Sequence, residues 1–258
     1  MPLISTSDFC VIAAVNDDEI LNHCLALSPD IASGALPLTI IRNAKSMSDA
    51  YNRGLAQTDR PICLFAHQDV YLPKGWLARA VEVLGQLEQD HPDWMVAGPF
   101  GVGRNGEGGV GRIWDVAMGL ELGGAAFAPT PVQSLDELLL VVKRQPWFTF
   151  DPALPDFHLY GTDLVQTAWA AGNSAFAVEL PVVHNNRPYS SLGAGYVASY
   201  RYARRKWRRR LPIFTTICAI TYNPLALWRA QWRRRKAQVQ RGRLLAVSGE
   251  AARLAGYE

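Results

Sequence analysis

The chain has 258 residues, 49% hydrophobic and 19% charged, a globular composition with room for one large domain or one domain plus an appendage. Cys10, Cys24, Cys63 and Cys218 are scattered with no CxxC pair, which argues against a zinc site or a disulfide framework and fits a reducing compartment. The net charge of +3 conceals an asymmetry: residues 201–258 carry 15 Lys/Arg against Glu250 and Glu258, a net +13, so the first 200 residues sum to −10. A basic segment on an acidic body seeks an anionic surface, whereas duplex nucleic acid wants a broad positive face that the body lacks.

In chain order, Phe9 to Val15 is an apolar run of strand length, and the polar stretch Asn16 to Glu19 can cap a helix beginning near Ile20. Leu38 to Ile41 reads as a second strand and Ser48 to Ala56 as a helix. Ile62 to Ala66 is a third strand that stops at His67, Gln68 and Asp69. A buried strand ending in a carboxylate puts that group at the carboxyl edge of a sheet, where open α/β sheets bind ligands. Pro73 to Trp76 opens a helix running to about Gln89, and Trp94 to Gly98 is a fourth strand. This alternation predicts an α/β fold: a largely parallel, mixed central sheet with helices on both faces.

Gly101 to Gly111 contains a literal GxGxxG at Gly101, Gly103 and Gly106. The dinucleotide fingerprint needs a helix opening at its last glycines, and here the glycines continue, so the stretch is expected to be a surface loop or lid. Leu138 to Val142 is an apolar run after Leu135, Asp136 and Glu137. Thr162 and Asp163 are expected to start a helix over Leu164 to Ala171, and Ala175 to Val183 a strand ending at His184. Leu211 to Trp228 is apolar but too polar for a confident membrane span. Arg204 to Arg210 and Arg233 to Lys236 flank it, with Trp207, Trp228 and Trp232 interleaved. The expected division is residues 1–200 as the main domain and 201–258 as a basic helical segment.

Taken together, residues 9 to 210 resemble the family 2 glycosyltransferases, inverting nucleotide-sugar enzymes of the GT-A fold. The strand ending at Val15 and Asn16 is similar to the family's first strand and nucleoside-contacting turn. Asn43, Ala50, Asn52 and Gly54 resemble its "N…A.N.G" segment, and His67, Gln68 and Asp69 sit where it has an Asp-x-Asp metal motif. Tyr160 to Leu164 sits where a Glu-Asp pair opens a helix and supplies the catalytic base. His184 follows the next strand, where some members place a further metal ligand. Leu135 to Glu137, Lys206 and Trp207 are similar to a bacterial subgroup. Two positions depart from the pattern: His67 stands for the first Asp of the metal motif and Thr162 for the Glu before the base.

The resemblance implies a nucleotide-sugar donor (UDP, GDP or dTDP), a glycan or lipid-linked hydroxyl acceptor, and a divalent cation bridging the departing diphosphate. Asp69 and His184 are then the metal ligands. Imidazole in the set favours Mn2+ over Mg2+. On the same resemblance Asp163 would be the general base. Its place at a helix start would lower its pKa, so burial or a neighbour such as Asp156 must raise it. Val15, Asn16, Asn43, Ser48, Asn52, His67 and Gln68 would hold the donor. Simpler roles stand beside these. Asp69 suits a cap on the turn into Pro73, Asp163 suits an N-cap, and His184 suits a satisfied strand end. His67 suits a donor to the pyrophosphate or a plain edge residue, and His158 a structural or acceptor-side role. The expected location is cytoplasmic, peripheral on the inner membrane face. The alternatives are a non-catalytic nucleotide-sugar-binding protein of the same fold and, less well supported, a nucleic-acid-binding protein using the basic segment.

Overall fold

The computed structural model describes residues 4–106, 108–124, 126–186, 192–223, 225–236 and 247–258. The first strand, β1 (Phe9–Ala14), leads into α1 (Asp18–His23), whose N-cap Asp17 accepts from the Ile20 N–H. The short α2 (Pro29–Ala32) and β2 (Leu38–Ile41) follow. α3 (Met47–Leu55) is capped by the Ser46 hydroxyl, which accepts the Asp49 N–H. Next come β3 (Ile62–His67), the two-residue β4 (Val70–Tyr71), α4 (Trp76–Asp90) and β5 (Trp94–Gly98).

The glycine-dense stretch is not a lid. It forms β6 (Phe100–Gly103) and the start of β7 (Gly109–Asp115), which pair antiparallel; Glu107 lies outside the described residues. Glycine here permits close strand approach: Gly111, at φ +130°, leaves no space for a Cβ against the Pro99 carbonyl. β8 (Leu120–Gly123), β9 (Thr130–Leu135) and β10 (Leu139–Lys143) continue the chain.

α5 (Tyr160–Ala170) begins three residues before Asp163, so Asp163 lies in its first turn and is not its N-cap. The single strand expected over Ala175 to Val183 is two, β11 (Ser174–Ala177) and β12 (Val182–His184), in different parts of the sheet. The chain then forms α6 (Ala194–Lys206), α7 (Leu225–Lys236) and α8 (Ser248–Leu254). No described helix is long and apolar enough to cross a membrane.

The sheet is mixed. β1 pairs parallel with β2 and β3, as the βα alternation predicts, but β10 inserts antiparallel between β3 and β5. Its run from Leu139 to Val142 is wholly buried, the pattern of an interior strand. The strand path is β2-β1-β3-β10-β5-β11-β9-β6-β7-β12-β4, with β8 on β7. Only Gln68 and Asp69 separate β3 from β4, yet β4 ends the path. The sheet therefore curls until β12 and β4 return to the end of β3.

Side chains alternate across the sheet. Val11 and Ala13 face Leu77, Ala80 and Leu84 of α4, while Cys10 and Ile12 face Ala50 and Tyr51 of α3 and Leu164 and Val165 of α5. All four cysteines are buried. The last helix packs on the strand that carries His184: Ala251 and Ala252 join Tyr71 and Val183 in one apolar cluster, and Asn185 Nδ2 donates to Ser248 Oγ at 3.0 Å.

Candidate functional site

β1, β2 and β3 run parallel, so Val15, Asn43 and His67 arrive at one edge. β10 runs the other way and pairs Leu139 with Ala66, which brings the preceding Asp136 and Glu137 to the same edge. β12 lies between β4 and β7, with His184 opposite Val70 on one side and Asp115 on the other. Sheet register alone thus gathers residues far apart in sequence.

The centre of the edge is His67, Asp69 and His184, whose ligand atoms all lie within 4.8 Å of one another. Asp69 Oδ2 stands 3.6 Å from His184 Nε2, and Asp69 Oδ1 stands 3.9 Å from His67 Nδ1. The tautomer of His67 follows from its other nitrogen. The Tyr160 hydroxyl donates to the Glu137 carbonyl at 2.9 Å, so its oxygen accepts from His67 Nε2 at 2.6 Å. Burial keeps Tyr160 protonated, with its pKa well above the ordinary value, and lowers that of His67. Neutral His67 therefore points a bare Nδ1 lone pair at Asp69 Oδ1, a buried oxygen with no hydrogen-bond partner among the described residues. Two acceptors facing each other are unfavourable unless a cation lies between them.

His184 is held from behind. Its Nδ1 stands 3.8 Å from Asp115 Oδ2, the carboxylate–imidazole arrangement that fixes the ring and leaves Nε2 free as a ligand. Burial disfavours the imidazolium, but Asp69 and Asp115 outweigh it and raise the His184 pKa to about 10 in the metal-free protein. Burial likewise works against the Asp69 carboxylate, and His184 and His67 reverse this, holding its pKa well below the ordinary value. The set of two imidazoles and one carboxylate fits Mn2+ or another first-row ion.

The expected donor-site residues divide. Gln68 Oε1 accepts from the Asn16 and Asp17 N–H groups, at 3.0 and 3.2 Å, and its Nε2 donates to Asn16 Oδ1 at 2.7 Å. Gln68 and Asn16 thus brace each other across the end of β1. Asn43 lies exposed in a left-handed turn at φ +56°, and Val15 is buried, tied through its N–H to the Ile41 carbonyl. Asn52 spends both ends of its amide on the Phe150 backbone, and Ser48 is 1% exposed.

Asp163 is 4% exposed, and both its oxygens are occupied: Lys206 Nζ at 2.8 Å and Trp207 Nε1 at 2.7 Å. Burial raises its pKa, Lys206 opposes this, and the contributing carboxylate is Asp151, not the expected Asp156.

Glu137 also stands at this edge. It is only half-buried, its Oε1 accepts the Gly161 N–H at 3.0 Å, and burial raises its pKa well above the ordinary value, with Asp136 adding to the shift. Gly161 makes this possible, since a Cβ there would come within 3.1 Å of Glu137 Cγ and 3.0 Å of the Leu135 carbonyl. The signal available in sequence was an acidic pair placed directly before a fully apolar run. Asp115 carried no such signal, because its partnership with His184 exists only through strand pairing.

Residues 10–88 match the sequence profile of a family described as "Glycosyltransferase like family". A curated protein of Fuscovulum blasticum, described as "ATP synthase subunits region ORF 6", is 30% identical over 129 residues, 48% of this chain and 51% of that protein. The chain thus spans about half the length of that relative. Among solved structures, GalNAc-T7 with UDP, GalNAc and Mn2+ is 12% identical, with a TM-score of 0.49 over 76% of this chain and 47% of that one. The mannosyltransferase PcManGT of Pyrobaculum calidifontis, in complex with GDP-Man and Mn2+, is 14% identical, with a TM-score of 0.47 over 96% of this chain and 73% of that one.

Proposed function

We propose that this glycosyltransferase-like chain is a metal-dependent, inverting transferase that moves a sugar from a nucleotide donor to a hydroxyl acceptor. The observation that carries the reading is the facing pair of acceptors, His67 Nδ1 and Asp69 Oδ1, with His184 Nε2 beside them. The family match over residues 10–88 supplies the class of reaction.

His67, Asp69 and His184 would hold the ion, and when bound it neutralises the charge that grows on the departing diphosphate. Asp115 orients His184, and Tyr160 orients His67, each through the ring nitrogen that faces away from Asp69. Val15, Asn16 and Asn43, at the ends of the parallel strands, receive the nucleoside, and Gln68 keeps the turn at Asn16 rigid.

The proton of the acceptor hydroxyl goes to the Glu137 carboxylate. A general base works best with a pKa near the operating pH, and burial moves Glu137 in that direction. Asp163, with both oxygens held, serves as a positioning residue that fixes Lys206 and Trp207 against the start of α5. Exposed Leu225, Trp228 and Trp232 on α7, beside Arg229 and Arg233, support an acceptor presented at an anionic membrane surface.

The test is calorimetry and transfer assays with a panel of nucleotide sugars and Mn2+. Asp69→Asn is expected to abolish metal-dependent nucleotide affinity, and unchanged affinity would remove the metal assignment. Glu137→Gln is expected to lower turnover about 10²–10⁴-fold with donor affinity kept. If Glu137→Gln is fully active while Asp163→Asn is dead, the base is Asp163. Tight metal-dependent nucleotide binding with no transfer or hydrolysis for any donor would favour a binding protein.

A further inference from the structure

A cavity lies at the end of α5 away from Glu137. The helix starts at the sheet edge that carries Glu137 and rises roughly 15 Å over its 11 residues to Gly172 and the amino end of β11. There a cavity of about 560 Å3 is lined by Arg104, Gln133, Gln166, Trp169, Asn173 and Arg210. Its volume is that of a small-molecule site.

The lining is mostly polar, and its two glutamines are buried and held by hydrogen bonds. Gln133, 5% exposed, accepts the Phe214 N–H at 2.8 Å and donates to the Gly103 and Arg104 carbonyls. Gln166, 1% exposed, donates to the Gln133 carbonyl at 2.8 Å. Arg210 donates to the Gln166 carbonyl at 3.0 Å and stacks 5.4 Å from the Trp207 ring centre. Arg104 lies over Trp169 at 5.1 Å. Each guanidinium is therefore oriented by aromatic stacking with donors to spare.

No carboxylate among the described residues pairs with Arg104 or Arg210, and none lines the cavity. Asp93 is nearby but takes the Ser174 hydroxyl. Two guanidiniums facing one cavity repel each other, and an anion between them removes that cost. Their planar forks match the oxygens of a phosphate.

We propose that this cavity binds a small phosphate-bearing molecule, at a site separate from the one that holds the nucleotide donor. A bare phosphate would leave most of the volume unfilled. The class indicated is an organic phosphate whose polar body meets Asn173 and the half-exposed Trp169 indole.

The experiment is calorimetry on the full chain in EDTA at constant ionic strength, with glucose 6-phosphate, glycerol phosphate as a lipid-headgroup analogue, and pyrophosphate as separate probes. One-to-one binding of an organic phosphate is expected, weakened about tenfold or more in Arg104→Gln and in Arg210→Gln, the loss of one charged hydrogen bond. Arg104→Lys keeps the charge without the fork and should fall between. Among the described residues the Arg104 side chain has only its stacking contact to lose, so its variants keep the test open if Arg210→Gln fails to fold. Binding should survive in Asp69→Asn. No binding of any probe at about 10 mM, a millimolar-or-weaker affinity, would overturn the proposal. So would equal affinity in both arginine variants, or loss of binding in Asp69→Asn, which would place the anion at the donor site. A preference for glucose 6-phosphate points to a soluble metabolite and one for glycerol phosphate to a lipid headgroup.

Discussion

At the scale of single residues, the protonation of the histidine–aspartate centre makes metal binding a pH-dependent event. In the metal-free protein the His184 pKa is raised to about 10, so this residue is an imidazolium at neutral pH, whereas His67 is neutral. A metal ligand must present a lone pair, so His184 has to release one proton on binding. The apparent Mn2+ affinity is therefore expected to rise with pH, by up to about tenfold per unit between pH 6.5 and 8.5. Calorimetry in two buffers of different ionisation heat reads the released proton directly, and a pH-independent affinity would contradict the assigned protonation. The stability of the metal-free protein runs the other way. The folded His184 pKa lies above the unfolded value near 6.5, so its contribution is complete below that pH and is lost as pH rises toward 10. The Asp69 pKa is lowered, so its contribution is present at neutral pH and is lost in acid.

At the scale of elements, Asp163 joins two helices. It sits in the first turn of α5, while Lys206 ends α6 and Trp207 follows it; Lys206 also bonds Asp151 at 2.7 Å. Removing the cation leaves two carboxylates facing a site that excludes water from one of them. Lys206→Met is expected to destabilise toward the low end of the ~3–5 kcal/mol seen for broken buried pairs, because Lys206 keeps some exposure to solvent. Thermal unfolding of the single and double variants measures it. The pair Asp163→Leu with Lys206→Met should lose less than the sum of the two, and simple additivity would show that the groups do not interact.

At the scale of the whole molecule, charge and apolar surface are concentrated at one end of the chain. Trp228 is 60% exposed and Trp232 48%, on a helix that also carries Arg229 and Arg233, with Phe214, Ile217 and Tyr222 exposed before it. The side chains of Arg234 to Lys236 and residues 237–246 lie outside the described residues. Each Lys/Arg near an anionic membrane contributes about 1 kcal/mol, and buried indole adds a part that salt does not screen. The protein is expected to sediment with anionic vesicles more than with neutral ones, and to be released only partly by high salt. Equal pelleting with both, or none with either, would end the idea of an electrostatic anchor.

The elements that depend on local pattern were legible in the sequence: β1, β2, β3, α4 and β5 fall where apolar periodicity and capping residues put them. So were Asp69 and His184, because a strand that stops at a polar cluster delivers it to a sheet edge. Where local signals carry two meanings, pattern and structure diverge. Glycines that usually mark a loop instead allow β6 and β7 to pack closely, and the helix of Asp163 began earlier because Leu159 adopts a left-handed conformation that no composition rule foretells. The partners of Asp69 and His184 needed the tertiary structure. Pairing of β12 with β7 places Asp115 behind His184, antiparallel insertion of β10 brings Glu137 to the edge, and the end of α6 delivers Lys206 and the following Trp207 to the two oxygens of Asp163. Periodicity along a chain specifies which residues face inward. Which strands become neighbours is decided by how the whole sheet curls to bury its two faces, and it is this neighbourhood that sets the charge state of each site residue.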